Sequence, residues 1–361
     1  MVDSSLHSFH RERIDKLDCI LQCNYTSPDC GAKIVAKVGL TYLAEGAAHV
    51  VYRVSLPGAS PTTHPHLVGK LFRFRKSIPS AVPCAQTVAN YQNIIAPLFP
   101  VNNLVHLELH HVSNQNALIA KLNAALEQRE LNGTRPAHRH GVYLTPSAEE
   151  PNAILVTDMS ACGPDERLIE FKPKWLVQSP SAPQGAKRCR TCALREMRTE
   201  DERRSGQSHS GRGHAGFCPL DLVSNNDDVL GETIRRLSLT DELSRTYESP
   251  FKEQIQPLLL RLRRLQAEYN NVGLNDFENG QSQGFFVSMA LRDCSVFVKT
   301  KRGELGFQEV RLADLDLKSS GGGKLELWAR TEQRLIEEGW YMGSENAESL
   351  GNRLCRALQQ S

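Results

Sequence analysis

No stretch of the 361 residues approaches about 18 uninterrupted apolar positions, so the sequence predicts no membrane-spanning helix. The first twenty residues, MVDSSLHSFHRERIDKLDCI, are charged and lack the apolar run of a secretory leader. Both absences point to a soluble, intracellular and mostly reduced protein. A basic field is missing too: 43 Lys+Arg against 41 Asp+Glu leave a formal charge of +2. That argues against nucleic acid as a partner, since its phosphates are held mainly by Lys and Arg. The chain has no internal repeat and no Gly-x-Gly-x-x-Gly. Its ten cysteines are scattered through a chain too long for a disulfide scaffold. Apolar and charged contents of 40% and 23% are those of an ordinary globular protein with a sizeable core.

Strand-like runs come early: VGLTYL, HVVYRVSL and HLVGKLFRF, the last two separated by the loop Pro57–Pro65. A helix is expected after Pro83, ending near Pro97. In a second helix Ala117, Ile119, Leu122, Ala125 and Leu126 fall at helical spacing and Gly133 is a stop. AILVTDM and RLIEF read as short buried strands, and residues 199–216 as a flexible, charged then Gly/Ser-rich excursion. Beyond it, two amphipathic helical patterns flank two apolar runs that each contain an aspartate. The expected fold class is α+β, with a β-rich N-terminal part (residues 1–157) and a larger mixed part (residues 158–361).

Local charge is more informative than the total. Between Arg167 and Arg204, 10 Lys/Arg against 5 Asp/Glu leave the segment at +5. It opens on RLIEFKPKW, where Glu170, Lys172 and Lys174 alternate and so share one side of an extended chain. Pro173 cannot continue a central strand, so it separates the lysines rigidly. They are a solvated, ion-paired strand end or a grip on an anion. The runs MALRDCSVFVKT and VRLADLDLKS read as apolar strands that carry Asp293 in the first and Asp314, Asp316 and Lys318 in the second, these three on one side opposite Leu315 and Leu317. A carboxylate near a core needs a partner or a metal. The pattern suits magnesium beside an anionic substrate, or a solvent-facing sheet edge.

Two features of the N-terminal part bear on phosphates. The small-residue turn AEGAAHVVYRV brings backbone N–H groups within reach of an anion, as would an ordinary hairpin. Lys70, Arg73, Arg75 and Lys76 follow on the next strand, either as its wet face or as a phosphate contact. Cys189-x-x-Cys192, with His209, His214 and Cys218 beyond it, could hold zinc or be packed thiols.

Five of these segments occur in the order seen in the inositol-pentakisphosphate 2-kinase family, and the chain resembles that family's fungal members from about residue 44 to residue 341. They are EFKPK (Glu170–Lys174), CRTCALREMR (Cys189–Arg198), FCPLDLVS (Phe217–Ser224), RDCSVFV and DLDLK. The resemblance implies a two-lobed relative of protein kinases and inositol polyphosphate kinases. It would use ATP and Mg2+ to phosphorylate the 2-hydroxyl of inositol 1,3,4,5,6-pentakisphosphate, giving the hexakisphosphate (phytate). Gly46, Ala47, Ala48 and His49 would cover the nucleotide phosphates, and Arg73 would reach them. Asp158 would lie near the hinge and Glu170 would hold the nucleoside. Lys172, Lys174, Arg198 and Lys318 would bind substrate phosphates, with Asp293 as base and Asp314, together with Asp293, as metal ligands. The resemblance also implies nuclear residence and, for a small-molecule substrate, a monomer with no membrane or nucleic-acid partner. His49 replaces the family's Asn and Arg198 its Lys, and after DLDLK the family's basic and aromatic cluster has only Lys324 to offer. The rival readings are a non-catalytic inositol-phosphate or ATP-binding relative, and a zinc-dependent nucleic-acid module around Cys189–Cys218.

Overall fold

The computed structural model describes residues 19–26, 33–56, 64–112, 115–206, 216–237, 244–279, 282–318, 323–343 and 355–358. They fall into two compact units. One holds the described residues up to Val101 together with Val105–Met159, and the other holds Asn102–Leu104 and the chain from Ser160 onward.

The first unit is built on an antiparallel sheet. Its strands are β1 (Cys19–Thr26), β2 (Lys33–Glu45), β3 (His49–Ser55), β4 (Lys70–Arg75), β5 (Leu107–His111) and β6 (Asn152–Thr157). Their order is β1-β2-β3-β4-β6-β5. Alternation places Val38, Leu40, Val50, Tyr52, Phe72 and Phe74 on one buried face. Helix α1 (Cys84–Asn90) continues through a wider turn at Tyr91–Ile95 and closes at Ala96–Leu98, around Pro97. Helix α2 (Gln115–Leu131) supplies Leu118, Ile119, Leu122 and Leu126 to the core of the sheet. Ala117, expected on the inner face, is exposed, and Leu118 takes that place. Gly133 ends the helix with a left-handed backbone, φ +65°.

Lys76, just past β4, is not on a wet face. It is fully buried and ion-paired with the equally buried Glu45. Arg135 completes the network, donating to Glu45 at 2.8 and 3.0 Å and pairing with Glu130. Burial works against the Glu45 carboxylate, but hydrogen bonds from Arg135 and Lys76 outweigh it and bring the group down to about 2. A depressed carboxylate stabilises the fold above its unfolded-state pKa, and that stability is lost as pH falls through the folded-state value. Acid unfolding of this unit is therefore expected to draw on Glu45 between about pH 4.5 and pH 2. Glu45→Gln leaves Lys76 and Arg135 short of their shared acceptor and is expected to cost about 3–5 kcal/mol at pH 7. Urea unfolding at pH 7 checks this, and a change below about 1 kcal/mol contradicts it.

In the second unit β7 (Glu166–Phe171), β8 (Ser295–Lys301) and β9 (Glu309–Ala313) form an antiparallel sheet in that order. Seven helices accompany it among the described residues: α3 (Arg190–Ser205), α4 (Asp227–Arg236), α5 (Ser244–Pro250), α6 (Gln256–Glu268), α7 (Leu274–Asn279), α8 (Gln283–Leu291) and α9 (Lys324–Glu337). No described helix is long and apolar enough to cross a membrane.

Three expectations change here. The charged stretch from Thr199 is helical through Ser205, where Glu200 pairs with Arg203 and Arg204; residues 207–215 lie outside the described residues. The run ending at Thr300 is a strand only in its second half. Ser282 caps a helix there, accepting from the Phe285 N–H at 3.2 Å. Because α8 is buried on most sides, from Phe285 to Leu291, its sequence shows no period that would separate it from a buried strand. Finally, β9 ends at Ala313, before the DLDLK segment.

Candidate functional site

Two non-glycine residues have left-handed backbones among the described residues, Lys174 (φ +58°) and Asp314 (φ +56°). For a lysine that conformation costs about 1–2 kcal/mol, and such strain gathers at functional sites. The two belong to one cluster in the second unit. Phe171, Pro173 and Trp175 are buried while Glu170, Lys172 and Lys174 are not, so the alternation read from the sequence persists past the end of β7. Asp293 lies in neither strand nor helix. It occupies the turn between α8 and β8, its N–H donating to the Ala290 carbonyl at 3.1 Å.

The lysines converge on that turn. Lys174 Nζ donates to Asp293 Oδ1 at 3.1 Å and Lys318 Nζ to Asp293 Oδ2 at 2.9 Å. Lys172 Nζ donates to the Asp293 carbonyl at 2.7 Å and to Asp314 Oδ2 at 3.1 Å, and it stands 3.9 Å from Asp293 Oδ1. Ser295 Oγ lies 2.7 Å from Glu170 Oε1 and 3.3 Å from Asp314 Oδ2, and its one proton serves one of them at a time. Burial opposes ionisation of Asp293, but Lys318, Lys174 and Lys172 together hold its carboxyl down to about 2. Burial likewise lowers Lys172, while Asp314 and Asp293 raise it above the ordinary lysine value on balance. The side chains remain partly open to solvent, 33% for Lys172, 40% for Lys174, 44% for Asp293 and 58% for Asp314, so the lysines can exchange partners.

Arg198 is exposed on α3 and takes no part in this ion-paired cluster. Lys324 opens α9; burial lowers its ammonium and the neighbouring Lys318 lowers it further. In the first unit, Gly46–His49 form the tip of the β2–β3 hairpin, closed by the Gly46 N–H donating to the His49 carbonyl at 2.9 Å. Gly46 and Ala47 are exposed and Ala48 half-buried. Lys76 ties the tip down from below: Nζ donates to the Gly46 carbonyl and the backbone N–H to the Ala48 carbonyl, both at 2.8 Å. An Arg73 guanidinium nitrogen is 3.0 Å from His49 Nδ1, which puts Arg73 beside the tip. Asp158 follows β6, its N–H donating to the Gly69 carbonyl and its carboxylate 4.0 Å from Arg53 Nε.

Oxygen donors and cations thus meet in one place. The carboxylates of Asp293 and Asp314 are hard ligands of the kind magnesium takes, and three ammonium groups stand beside them. A second donor set is of sulfur: the Sγ atoms of Cys189, Cys192, Cys218 and Cys355 all lie within 4.8 Å of one another. None of these cysteines is in a disulfide. Sequence spacing could not have supplied Cys355, which is 137 positions from Cys218. His209 and His214 fall outside the described residues.

Lysines paired with partly open carboxylates, two of these residues on left-handed backbone, form a cluster whose cations could exchange the carboxylates for an anionic ligand. The comparisons with known proteins specify the family. The family model described as inositol-pentakisphosphate 2-kinase matches residues 42–281 and 251–334, most of the chain, which therefore belongs to that family. The chain is similar to the inositol-pentakisphosphate 2-kinase of Yarrowia lipolytica (strain CLIB 122 / E 150), with 32% identity over 184 residues. That match covers 48% of this chain and 53% of the relative, so the chain spans about half the length of the curated relative.

Proposed function

We propose that the protein transfers the γ-phosphoryl group of ATP to the 2-hydroxyl of inositol 1,3,4,5,6-pentakisphosphate. The observation that carries the reading is the convergence of Lys172, Lys174 and Lys318 on Asp293. A substrate with five phosphates brings more negative charge than the aspartates it displaces, so the lysines move onto it. Asp293 then loses the ion pairs that hold it near 2, and its carboxylate becomes a better acceptor for the hydroxyl proton. Phosphoryl transfer asks of a protein mainly positioning and charge neutralisation. Asp314, with Asp293, would hold magnesium, which supplies charge neutralisation at the transferring phosphoryl. Ser295 orients the Asp314 carboxylate when its proton turns from Glu170 to Asp314.

The nucleotide part of the reading rests on the hairpin tip. The Gly46 and Ala48 carbonyls are bonded to Lys76, Gly46 and Ala47 are exposed and Arg73 stands beside the tip, so backbone N–H groups of the tip would be the contact for nucleotide phosphates. In this reading the two units are the lobes of a kinase-like fold. The test is ADP formation by the full chain with magnesium-ATP, with and without the pentakisphosphate. ADP that depends on the inositol phosphate supports a kinase. Tight binding of the pentakisphosphate without ADP formation marks a non-catalytic relative.

The cysteine cluster fits this reading as a structural zinc site, separate from the chemistry. Four thiolates are a closed zinc ligand set, and the Cys189 N–H already points at the Cys355 sulfur, at 3.1 Å. Elemental analysis of protein purified without added metal is expected to give one zinc per chain, and Cys355→Ser to lower both that ratio and the melting temperature. Zinc-free protein with an unchanged melting temperature contradicts it.

A further inference from the structure

The cluster of lysines and aspartates is held from behind by a buried amide and a buried cation. Gln266, near the end of α6, is fully buried and spends its whole amide on the two segments that carry the site. Its Nε2 donates to the carbonyls of Lys174, at 2.9 Å, and Leu291, at 3.0 Å. Its Oε1 accepts from the Leu176 N–H at 2.8 Å. One side chain thereby ties the left-handed Lys174 to the end of α8, two residues before Asp293.

Arg292, adjacent to Asp293, is equally buried. No carboxylate pairs with it among the described residues. Its guanidinium instead donates to carbonyls at the C-terminal ends of two helices: Gln266 (2.7 Å) and Tyr269 (3.2 Å) at the end of α6, and Ser288 (3.2 Å) in the last turn of α8. It also donates to Ser288 Oγ at 2.5 Å and Asn270 Oδ1 at 2.9 Å. Helix C-termini present unpaired carbonyls and partial negative charge, so a cation there is stabilised without a carboxylate. The same guanidinium lies over the indole of Trp175, its carbon 4.7 Å from the ring centroid. Arg190 covers the same ring at 4.4 Å and is itself paired with Glu332 at 2.6 Å. Trp175 directly follows Lys174.

From this geometry we infer that Gln266 is a positioning residue for the proposed phosphoryl transfer, on a frame that Arg292 completes. Gln266 holds the strained Lys174 backbone in register with the Asp293 turn, and Arg292 locks that turn onto α6 and Trp175. Neither side chain touches the partly open faces of Lys174 and Asp293, so both act through those residues. The inference rests on the kinase reading for its effect on turnover, but it also has a consequence for binding.

The experiment compares the full-length chain with Gln266→Glu and Gln266→Leu. The glutamate keeps the size and the acceptor for Leu176, but donates to a carbonyl only while protonated. Misplacement of reacting groups by about 1 Å costs on the order of 100-fold in rate, and both variants are expected to lose about that much kcat at pH 8. Affinity for the pentakisphosphate, by calorimetry, should fall about tenfold through Lys174, at unchanged affinity for ATP. Lowering the pH toward 6 should shrink the deficit of Gln266→Glu relative to wild type and leave that of Gln266→Leu constant. A general loss of ATP affinity in step with turnover would reduce Gln266 to a folding role and overturn the inference, as would wild-type turnover and pentakisphosphate affinity in both variants. Wild type measured alongside tests the kinase reading separately. If wild type binds the pentakisphosphate without turnover, that reading fails, and the pentakisphosphate affinities of the three proteins, compared at pH 8 and pH 6, still decide whether Gln266 positions Lys174.

Discussion

Asp293→Asn should abolish turnover almost completely while the protein stays folded and still binds inositol pentakisphosphate. The change keeps the shape of the side chain and removes the charge that faces Lys174 and Lys318. A general base contributes about 10²–10⁴ in rate, so a fall in kcat on the order of 1,000-fold is expected. Binding should move the other way. The free carboxylate competes with substrate phosphates for the same ammonium groups, and an amide competes less, so affinity should hold or tighten. A residue that served only to keep the lysines in place would give the opposite pattern, weaker binding with proportionate loss of rate. Calorimetry and single-turnover kinetics on the same preparation separate the two.

The other large effect concerns the substrate cations. Lys172→Ala combined with Lys174→Ala removes two of the three ammonium groups at Asp293. Hydrogen bonds to charged groups are worth about 1.5–3 kcal/mol each, so the pair should raise the dissociation constant of the pentakisphosphate by about 10²–10⁴. The Asp293 carboxyl, now kept low chiefly by Lys318, should titrate closer to the ordinary aspartate value. Its ionised form stabilises the wild type above the unfolded-state pKa, and that contribution is lost as pH falls toward about 2. In the double variant the loss begins at the same unfolded-state pKa but is smaller and is complete at a higher pH. An unchanged dissociation constant would make the two lysines a solvated, ion-paired strand end.

That alternative and the anion grip were both open in the sequence, because alternation alone shows which residues share a side and not what they meet. The Glu170, Lys172 and Lys174 side of the chain was legible since a period of two survives Pro173. Asp293 was singled out as a charge in an apolar run, but its element was not, since a helix buried all round and a buried strand carry the same composition. Asp314 was expected on a strand opposite leucines and stands instead on left-handed backbone past the end of β9. Lys76 looked like one more cation of a wet strand, because its partner Glu45, and the Arg135 that shares that carboxylate, come from distant positions that no local pattern links. Cys355, Gln266 and Arg292 were invisible for the same reason. Their roles depend on which segments the fold brings together, and a lone Cys, Gln or Arg carries no mark of it.

The most direct test of the account is the product formed by the full chain from magnesium-ATP and inositol 1,3,4,5,6-pentakisphosphate, resolved by anion-exchange chromatography. The substrate has a single free hydroxyl, at position 2, so one added phosphoryl group defines the product. A hexakisphosphate peak that grows with time in wild type and is absent in Asp293→Asn is the expected result. A peak of equal size in both would remove Asp293 as the base. No peak in wild type, with the pentakisphosphate firmly bound, would contradict the assignment as a kinase.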